Sequence, residues 1–190
     1  MTLNEMKKKI LKLIEEYDKN NNTDFTNDPD IAVKINDVIN QIMFELSRVK
    51  KIPNYLELDV VEGDLIGFPD IKLETKQDVY QIDVVKGVKH EFKAQGTIIK
   101  CLEDGIAEIE YFSYPKRITD ENAADYVFEL SNDVLEIMPY GVAGDVLKSD
   151  VSNAYGNVYS QRYEQLKSQL DIRYNTGSIE IEEGVILWVL

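Results

Sequence analysis

The spacing of apolar residues divides the chain into two helical ends and an extended middle. In residues 2–50 and 119–170 the apolar side chains recur every three or four positions, which predicts amphipathic helices. Between residues 52 and 114 apolar and polar residues alternate instead, as they do on the two faces of a β-strand. The pattern predicts one α+β domain. Its N- and C-terminal helices form a bundle, and residues 52–114 form an antiparallel β insertion.

Two helices are predicted before residue 50. Thr2 and Glu5 make a capping-box sequence at the start of the first, which is expected to end near Asp18. Asp28 and Pro29 are an N-cap and a first-turn proline, so a second helix should begin there. The buried stripe of this second helix is predicted to consist of Ile35, Val38, Ile39, Ile42, Leu46 and Val49.

Two turns are predicted within the extended segment. Lys86-Gly87 is a two-residue turn between two alternating runs. Asp104-Gly105 is a stronger hairpin signal, because both turn positions need positive φ, and it should join Thr97–Leu102 to Ile106–Phe112. We therefore expect consecutive antiparallel strands in a meander or a small barrel.

The second helical region is predicted to contain two helical runs separated by a break, and then a longer helix. Thr119 is a suitable N-cap for the first run, and Pro139 with Gly141 should end it. A short helix over 142–148 follows, and Ser152 should cap the last helix. One face of that last helix carries an aromatic and aliphatic stripe made of Tyr155, Tyr159, Tyr163, Leu166 and Leu170.

The tyrosine stripe and the end of the chain are the predicted contact surfaces. Base stacking on the tyrosines would need a basic groove, and their neighbours are neutral or acidic, so core or subunit packing is the preferred interpretation. Residues 179–190 are predicted to be extended, and the last six are all apolar. This strand pairs either with the chain's own β insertion or with a neighbouring subunit or another protein. The candidate interface residues are Tyr155, Tyr159, Tyr163, Ile186, Trp188 and Leu190.

The formal net charge of −14 makes the chain a poor ligand for nucleic acid phosphates. Residues 101–190 carry 6 basic and 17 acidic side chains, against 15 and 18 in residues 1–100. This surface serves either solubility or passage of DNA beside the protein without adhesion.

No catalytic residue, metal site or cofactor site is predicted. His90 alternates with apolar residues in a strand, and Cys101 lies in an apolar strand without a nearby base, so both are expected to be structural. The clearest metal-like pattern is an Asn-rich loop with EF-hand-like spacing at Asp18, Asn20, Asn22 and Asp24. Thr23 and Pro29 stand where calcium binding needs Gly and Glu, so a solvated turn is the better interpretation.

Three sequence features in the second half of the chain occur together in a known family. An aromatic-rich strand end, Tyr111–Tyr114, precedes a short helix capped by Thr119-Asp120. A helix pair broken at Met138-Pro139-Tyr140-Gly141 follows, and a long helix then ends in Arg162–Leu166, which reads Arg-Tyr-Glu-x-Leu. Over about residues 108–170 the chain resembles the head-to-tail adaptor (connector) proteins of tailed bacteriophages. These are packing motifs and not a chemical signature.

The resemblance implies a structural protein without enzymatic activity. Such adaptors form a homo-oligomeric ring, usually of twelve copies, which docks under the portal protein and binds tail or tail-completion proteins. DNA passes through the lumen without sequence-specific binding. The implied location is the neck of a virion assembled in the host cytoplasm, with no membrane contact. The competing interpretation is a small intracellular binding module or scaffold that presents an acidic face to a basic partner.

Overall fold

A computed structural model describes residues 1–15, 26, 28–148 and 155–170. Within these residues the fold is α+β, with five α-helices and two antiparallel sheets. The helices are α1 (Leu3–Leu13), α2 (Pro29–Val49), α3 (Phe68–Thr75), α4 (Asn132–Leu147) and α5 (Tyr155–Lys167). The strands are β1 (Pro53–Val60), β2 (Leu65–Gly67), β3 (Val79–Lys86), β4 (His90–Lys93), β5 (Ile98–Cys101) and β6 (Gly105–Ser113).

Both predicted N-terminal helix starts are confirmed. Thr2 Oγ1 accepts from the Glu5 backbone N–H at 3.3 Å, and Glu5 Oε2 accepts from the Thr2 backbone N–H at 2.8 Å, which completes the capping box. Asp28 caps α2 by accepting from Asp30 N–H at 2.8 Å. The predicted end of α1 near residue 18 is wrong. The helix stops at Leu13, and the chain turns away through Glu15 at a positive φ of 59°.

The predicted helix start at Thr119 is also wrong. Residues 114–131 form turns and irregular backbone, and residues 126–128 pair with the N-terminus of the chain. Leu3 N–H donates to Tyr126 O at 3.0 Å, and Phe128 N–H donates to Met1 O at 3.0 Å. Tertiary backbone pairing here overrides a good local N-cap signal.

The predicted break at Pro139 and Gly141 is wrong as well, since α4 runs through both residues. Proline inside a helix removes one backbone hydrogen bond and costs about 3 kcal/mol. Eleven of the sixteen residues of α4 are buried, and it packs against α1, α2 and α5. The free energy gained by burying these residues offsets the cost of the proline and keeps the helix continuous.

A buried asparagine fixes the irregular segment to α2. Asn40 Nδ2 donates to Ile118 O at 2.9 Å, and Ile118 N–H donates to Asn40 Oδ1 at 2.8 Å. Both residues are buried, so this pair of bonds satisfies polar groups that water cannot reach.

The strand order corrects the predicted hairpins. One sheet has the order β1-β6-β3 and the other β2-β5-β4, so neither β3 and β4 nor β5 and β6 are paired. The two Gly-containing turns therefore carry the chain from one sheet to the other. Gly87 has φ +82°, and a Cβ placed there would lie 2.2 Å from Ile106 O, so glycine is required for this close crossing. Asp104 Oδ1 accepts from Glu62 N–H at 2.7 Å and caps a neighbouring loop.

The short helix α3 was not predicted, because the whole segment was interpreted as β. Its start signal is Gly67-Phe68-Pro69-Asp70, in which Asp70 Oδ2 accepts from Gly67 N–H at 2.7 Å. Only Ile71 of this helix is buried, so its apolar pattern is too short to reveal a period.

Buried residues of the described chain form two clusters, one among the helices and one among the strands and α3. The helical cluster includes Ile35, Ile39, Ile42 and Leu46 of the predicted α2 stripe, while Val38 and Val49 pack against it half-buried. The separation of the β segment as a removable insertion stays a prediction.

Candidate interaction surfaces

The predicted tyrosine stripe of α5 changes from exposed to buried along the helix. Tyr155 is 67% exposed, Tyr159 is half-buried, and Tyr163 is buried. Leu166 is half-buried and Leu170 is buried, so the C-terminal part of the stripe faces the helical cluster.

Tyr163 lies at the contact between α4 and α5. A Cβ at Gly141 would lie 2.9 Å from the Tyr163 ring, so the glycine makes room for the aromatic side chain. The Lys167 ammonium lies 4.8 Å from the centroid of the same ring. Burial, followed by the nearby Glu45 carboxylate, raises the pKa of Tyr163 far above its ordinary value. Tyr163 therefore belongs to the packing of the chain itself.

Tyr159 also binds within the chain. Its hydroxyl donates to Leu13 O at 2.5 Å, and its ring centroid lies 6.4 Å from that of Tyr140. Burial and then Glu15 raise the pKa of Tyr159. Of the three predicted interface tyrosines, Tyr155 alone presents most of its side chain to the surface of the described chain.

Several residues named in the sequence predictions lie outside the described residues. These are Ile186, Trp188 and Leu190 with the whole of residues 179–190, the predicted cap Ser152, and the EF-hand-like positions Asp18, Asn20, Asn22 and Asp24.

The outer face of the β1-β6-β3 sheet is acidic. In the antiparallel register Glu57 lies opposite Glu108, and Tyr55 lies opposite Glu110. We call this surface the acidic sheet face and define it as Tyr55, Glu57, Asp59, Glu108 and Glu110. Lys86 of β3 lies opposite Glu108 on the same face, so the surface carries four carboxylates and one ammonium group among these residues. No cationic group in the described residues lies within 4.0 Å of these carboxylates, and like charges directly opposite on a sheet repel.

A groove lies where the helical cluster meets the β segment. Its larger part has a volume of about 680 Å³, and a second part of about 450 Å³ shares Phe44 and Tyr114 with it. We call it the junction groove and define it as Phe44, Arg48, Lys76, Tyr114, Lys116 and Arg117. Sequence reasoning missed it, because its residues come from three separate segments of the chain. The local signal is Tyr114-Pro115-Lys116-Arg117, an aromatic residue beside two cations.

Aromatic rings form the floor of the junction groove. The Phe44 and Tyr114 centroids are 5.4 Å apart, and Tyr114 lies 4.8 Å from Tyr80. The guanidinium carbon of Arg48 lies 6.0 Å from the Tyr80 ring centroid and 5.9 Å from the Tyr114 centroid. Burial, with Tyr114 adding to it and Arg48 opposing it, raises the pKa of Tyr80 to about 12.

The groove concentrates four cationic side chains on an acidic protein, and three carboxylates line it as well. Asp78 is paired with Lys72 and Glu45 with Lys167, while Glu129 has no cationic group within 4.0 Å among the described residues. Arg117 lies 3.7 Å from Asp37. Within the described ranges, no carboxylate lies within 4.0 Å of the cationic groups of three groove residues, Arg48, Lys76 and Lys116.

The described residues bring no metal-binding cluster together. No group of three or more His, Cys, Asp or Glu side chains in this part of the chain could hold a metal ion. The thiol of Cys101 is fully buried, as expected for a structural cysteine, and burial followed by Asp64 raises its pKa. His90 is half-buried, with Nδ1 3.1 Å from Val88 O.

Comparisons with known proteins add no assignment: no protein-family model and no curated protein sequence matches this chain. Among the described residues, no helix combines the length and the apolar character that crossing a membrane requires.

Proposed function

We propose that this chain is a structural head-to-tail adaptor of a tailed bacteriophage. It assembles into a ring below the portal protein, extends the DNA channel and offers a docking platform for tail or tail-completion proteins. Its place is the neck of the virion, and assembly takes place in the host cytoplasm.

The observation that carries this proposal is the place of the adaptor-like sequence in the fold. Residues 108–148 and 155–170 include most of β6, the segment that pairs with the N-terminus, and helices α4 and α5. Helix α4 packs against the other three helices of the bundle, α1, α2 and α5. The resemblance therefore involves the centre of the fold and not a peripheral patch. Two of its features, the helix capped at Thr119 and the helix pair broken at Pro139, do not occur in the described fold, so the proposal rests on the position of the sequence and on the long helix α5.

The electrostatics agree with a channel role. A chain of net charge −14 gives a ring with a strongly negative field, which repels DNA phosphates and favours passage without adhesion. The acidic sheet face carries Glu57, Asp59, Glu108 and Glu110 against Lys86, so its net charge adds to this field.

The test is assembly with the portal protein of the same phage. The purified chain is mixed with portal, separated by gel filtration with light scattering, and imaged by negative-stain electron microscopy. The proposal expects a ring seated on one end of the portal, with a mass of about twelve copies if it follows the family. A chain that neither binds portal nor forms rings refutes it.

The acidic sheet face also favours a second function, in which a monomeric module binds a basic protein. This alternative predicts a monomer at all concentrations and binding of a basic partner that is lost when Glu57 and Glu108 are replaced by glutamine. Ring formation in the portal experiment contradicts it.

A further inference from the structure

We propose that the junction groove of one copy binds the acidic sheet face of a second copy of this chain. The inference deepens the proposed function and rests on it, since it names the two surfaces through which neighbours in the ring would contact each other.

The charge balance of the chain favours self-association through a local cationic site. Copies of net charge −14 repel one another, and contacts between opposite charges at close range offset this repulsion. The described chain offers a groove suited to this, in which Arg48, Lys76 and Lys116 have no carboxylate within 4.0 Å and outnumber the one unpaired lining carboxylate, Glu129. Its aromatic floor of Phe44 and Tyr114 provides apolar area around these charges.

The acidic sheet face has the complementary chemistry. Glu57 and Glu108 oppose each other across β1 and β6, and Lys86 of β3 lies opposite Glu108 on its other side. Cations from a neighbour would relieve the repulsion that remains among Glu57, Asp59, Glu108 and Glu110. Tyr55 is 71% exposed in the same face, which gives the neighbour's Phe44 and Tyr114 an aromatic side chain to pack against.

The two surfaces lie apart on one chain, so the groove of one copy contacts the acidic sheet face of another copy and not its own. Glu108 and Tyr114 are six residues apart along an extended segment, which corresponds to about 20 Å at 3.3 Å per residue. A contact between two different patches is head-to-tail, and such contacts generate closed rings when the rotation between copies closes. This is the geometry that a ring-forming adaptor needs.

The test is a pair of charge-reversed variants of the full chain. The groove variant carries Arg48→Glu and Lys116→Glu, and the face variant carries Glu57→Lys and Glu108→Lys. Sedimentation velocity is measured over a concentration series for each variant, for the wild type, and for an equimolar mixture of the two variants. Circular dichroism and thermal melting establish that each variant is folded.

We expect each variant alone to lose self-association and the mixture of the two variants to regain it. Each variant alone places like charges in the contact, so its association midpoint should move to a concentration at least about 100-fold higher than that of the wild type. In the mixture, the reversed groove meets the reversed face and the native groove meets the native face. Association should therefore return with the two variants alternating. Wild-type association should weaken as salt rises from about 50 to 500 mM.

A matched control and a milder variant keep the result interpretable. Lys12→Glu with Lys89→Glu makes the same change in net charge as the groove variant, at exposed lysines outside both surfaces, and should associate like the wild type. If a reversed variant does not fold, Tyr55→Ser and Lys116→Ala replace it, each with an expected weakening of about tenfold or more.

The outcomes separate this inference from the proposed function. If rings form and bind portal equally well with all of these substitutions, the inference is overturned and the adaptor proposal still stands. Self-association that follows the charge-swap pattern without any portal binding supports the inference and counts against the adaptor. A chain that stays monomeric with and without portal overturns both, and an acidic partner protein would then be the occupant of the groove.

Discussion

At the contact between α4 and α5, we predict that replacing a glycine with alanine destabilises the chain, although helix propensity alone favours alanine. Replacing an interior helical glycine with alanine normally stabilises a protein by about 1 kcal/mol. At Gly144, a Cβ would lie 2.6 Å from Ser160 Oγ, 3.0 Å from Ser160 N and 3.3 Å from Ser160 Cα. The hydroxyl can rotate away, but the backbone atoms can move only if α5 moves.

The magnitude follows from these two opposing effects. Forcing one extra carbon into a packed contact costs about 1–3 kcal/mol, so Gly144→Ala should destabilise the chain by about 0–2 kcal/mol after the propensity gain. For a protein of this size, a loss of about 1 kcal/mol lowers Tm by about 2–4 °C. Gly144→Val gains less from propensity and adds two further carbons, so the loss should be larger, at about 2–4 kcal/mol.

The measurement is urea unfolding followed by circular dichroism, with Gly156→Ala as the matched control. Gly156 lies in α5, and a Cβ there would be 3.2 Å from Leu147 Cβ, a side-chain contact that a small shift relieves. The control should be neutral or slightly stabilising. If Gly144→Ala instead stabilises the chain by the full propensity gain of about 1 kcal/mol, α5 does not approach α4 closely at this residue, and the reasoning fails.

Three further predictions concern buried polar groups. Asn40→Ala removes both partners of the Ile118 backbone and should destabilise the chain by about 2–4 kcal/mol in urea unfolding, because two buried groups lose their hydrogen bonds. Cys101 should react with a water-soluble disulfide reagent at pH 8 only as fast as the β cluster opens, and faster in urea, because burial keeps the thiol protonated. Stability should fall between about pH 10 and 12, since burial raises two tyrosine pKa values to about 12, those of Tyr80 and Tyr126. A raised tyrosine pKa stabilises the folded state below the unfolded pKa, and this contribution is lost as pH rises through the folded pKa.

Each of these has a clear contrary result. Asn36 lies one turn before Asn40, and no described residue bonds its side-chain oxygen, so Asn36→Ala should cost less; equal losses would contradict the role of the Ile118 bonds. Full reaction of Cys101 within seconds in native buffer would show an accessible thiol. For the pH prediction, absorbance at 295 nm should follow tyrosine ionisation during unfolding. Titration of all eleven tyrosines near pH 10 without unfolding would contradict the buried assignments.

The sequence predicted the features that depend on neighbouring residues. The capping box at Thr2 and the start of α2 at Asp28 are local chemistry, and both are confirmed. Helical period likewise identified the buried face of α2, because the stripe from Ile35 to Val49 repeats over about four turns of one helix.

The sequence could not predict features that depend on distant partners. Thr119 is a good N-cap by its own residue type, yet Tyr126 and Phe128 pair with the N-terminus and hold that segment extended. Asp104-Gly105 reads as a hairpin, but β6 has a better partner in β1 than in β5. The junction groove was hidden for the same reason, because residues that are unremarkable in sequence meet there only in the folded chain.

The Pro139–Gly144 segment shows why helix-breaking residues are ambiguous. Proline and glycine weaken an isolated helix, so their local effect predicts a break. In the fold, Gly141 and Gly144 are three residues apart and therefore share one face of α4, and it is this face that α5 approaches through Tyr163 and Ser160. The absence of two Cβ atoms lets α5 come close enough for backbone contact. Residues that weaken the helix by itself are thus the ones that permit its closest packing, and the cost of Pro139 is offset by the burial of the surrounding helix.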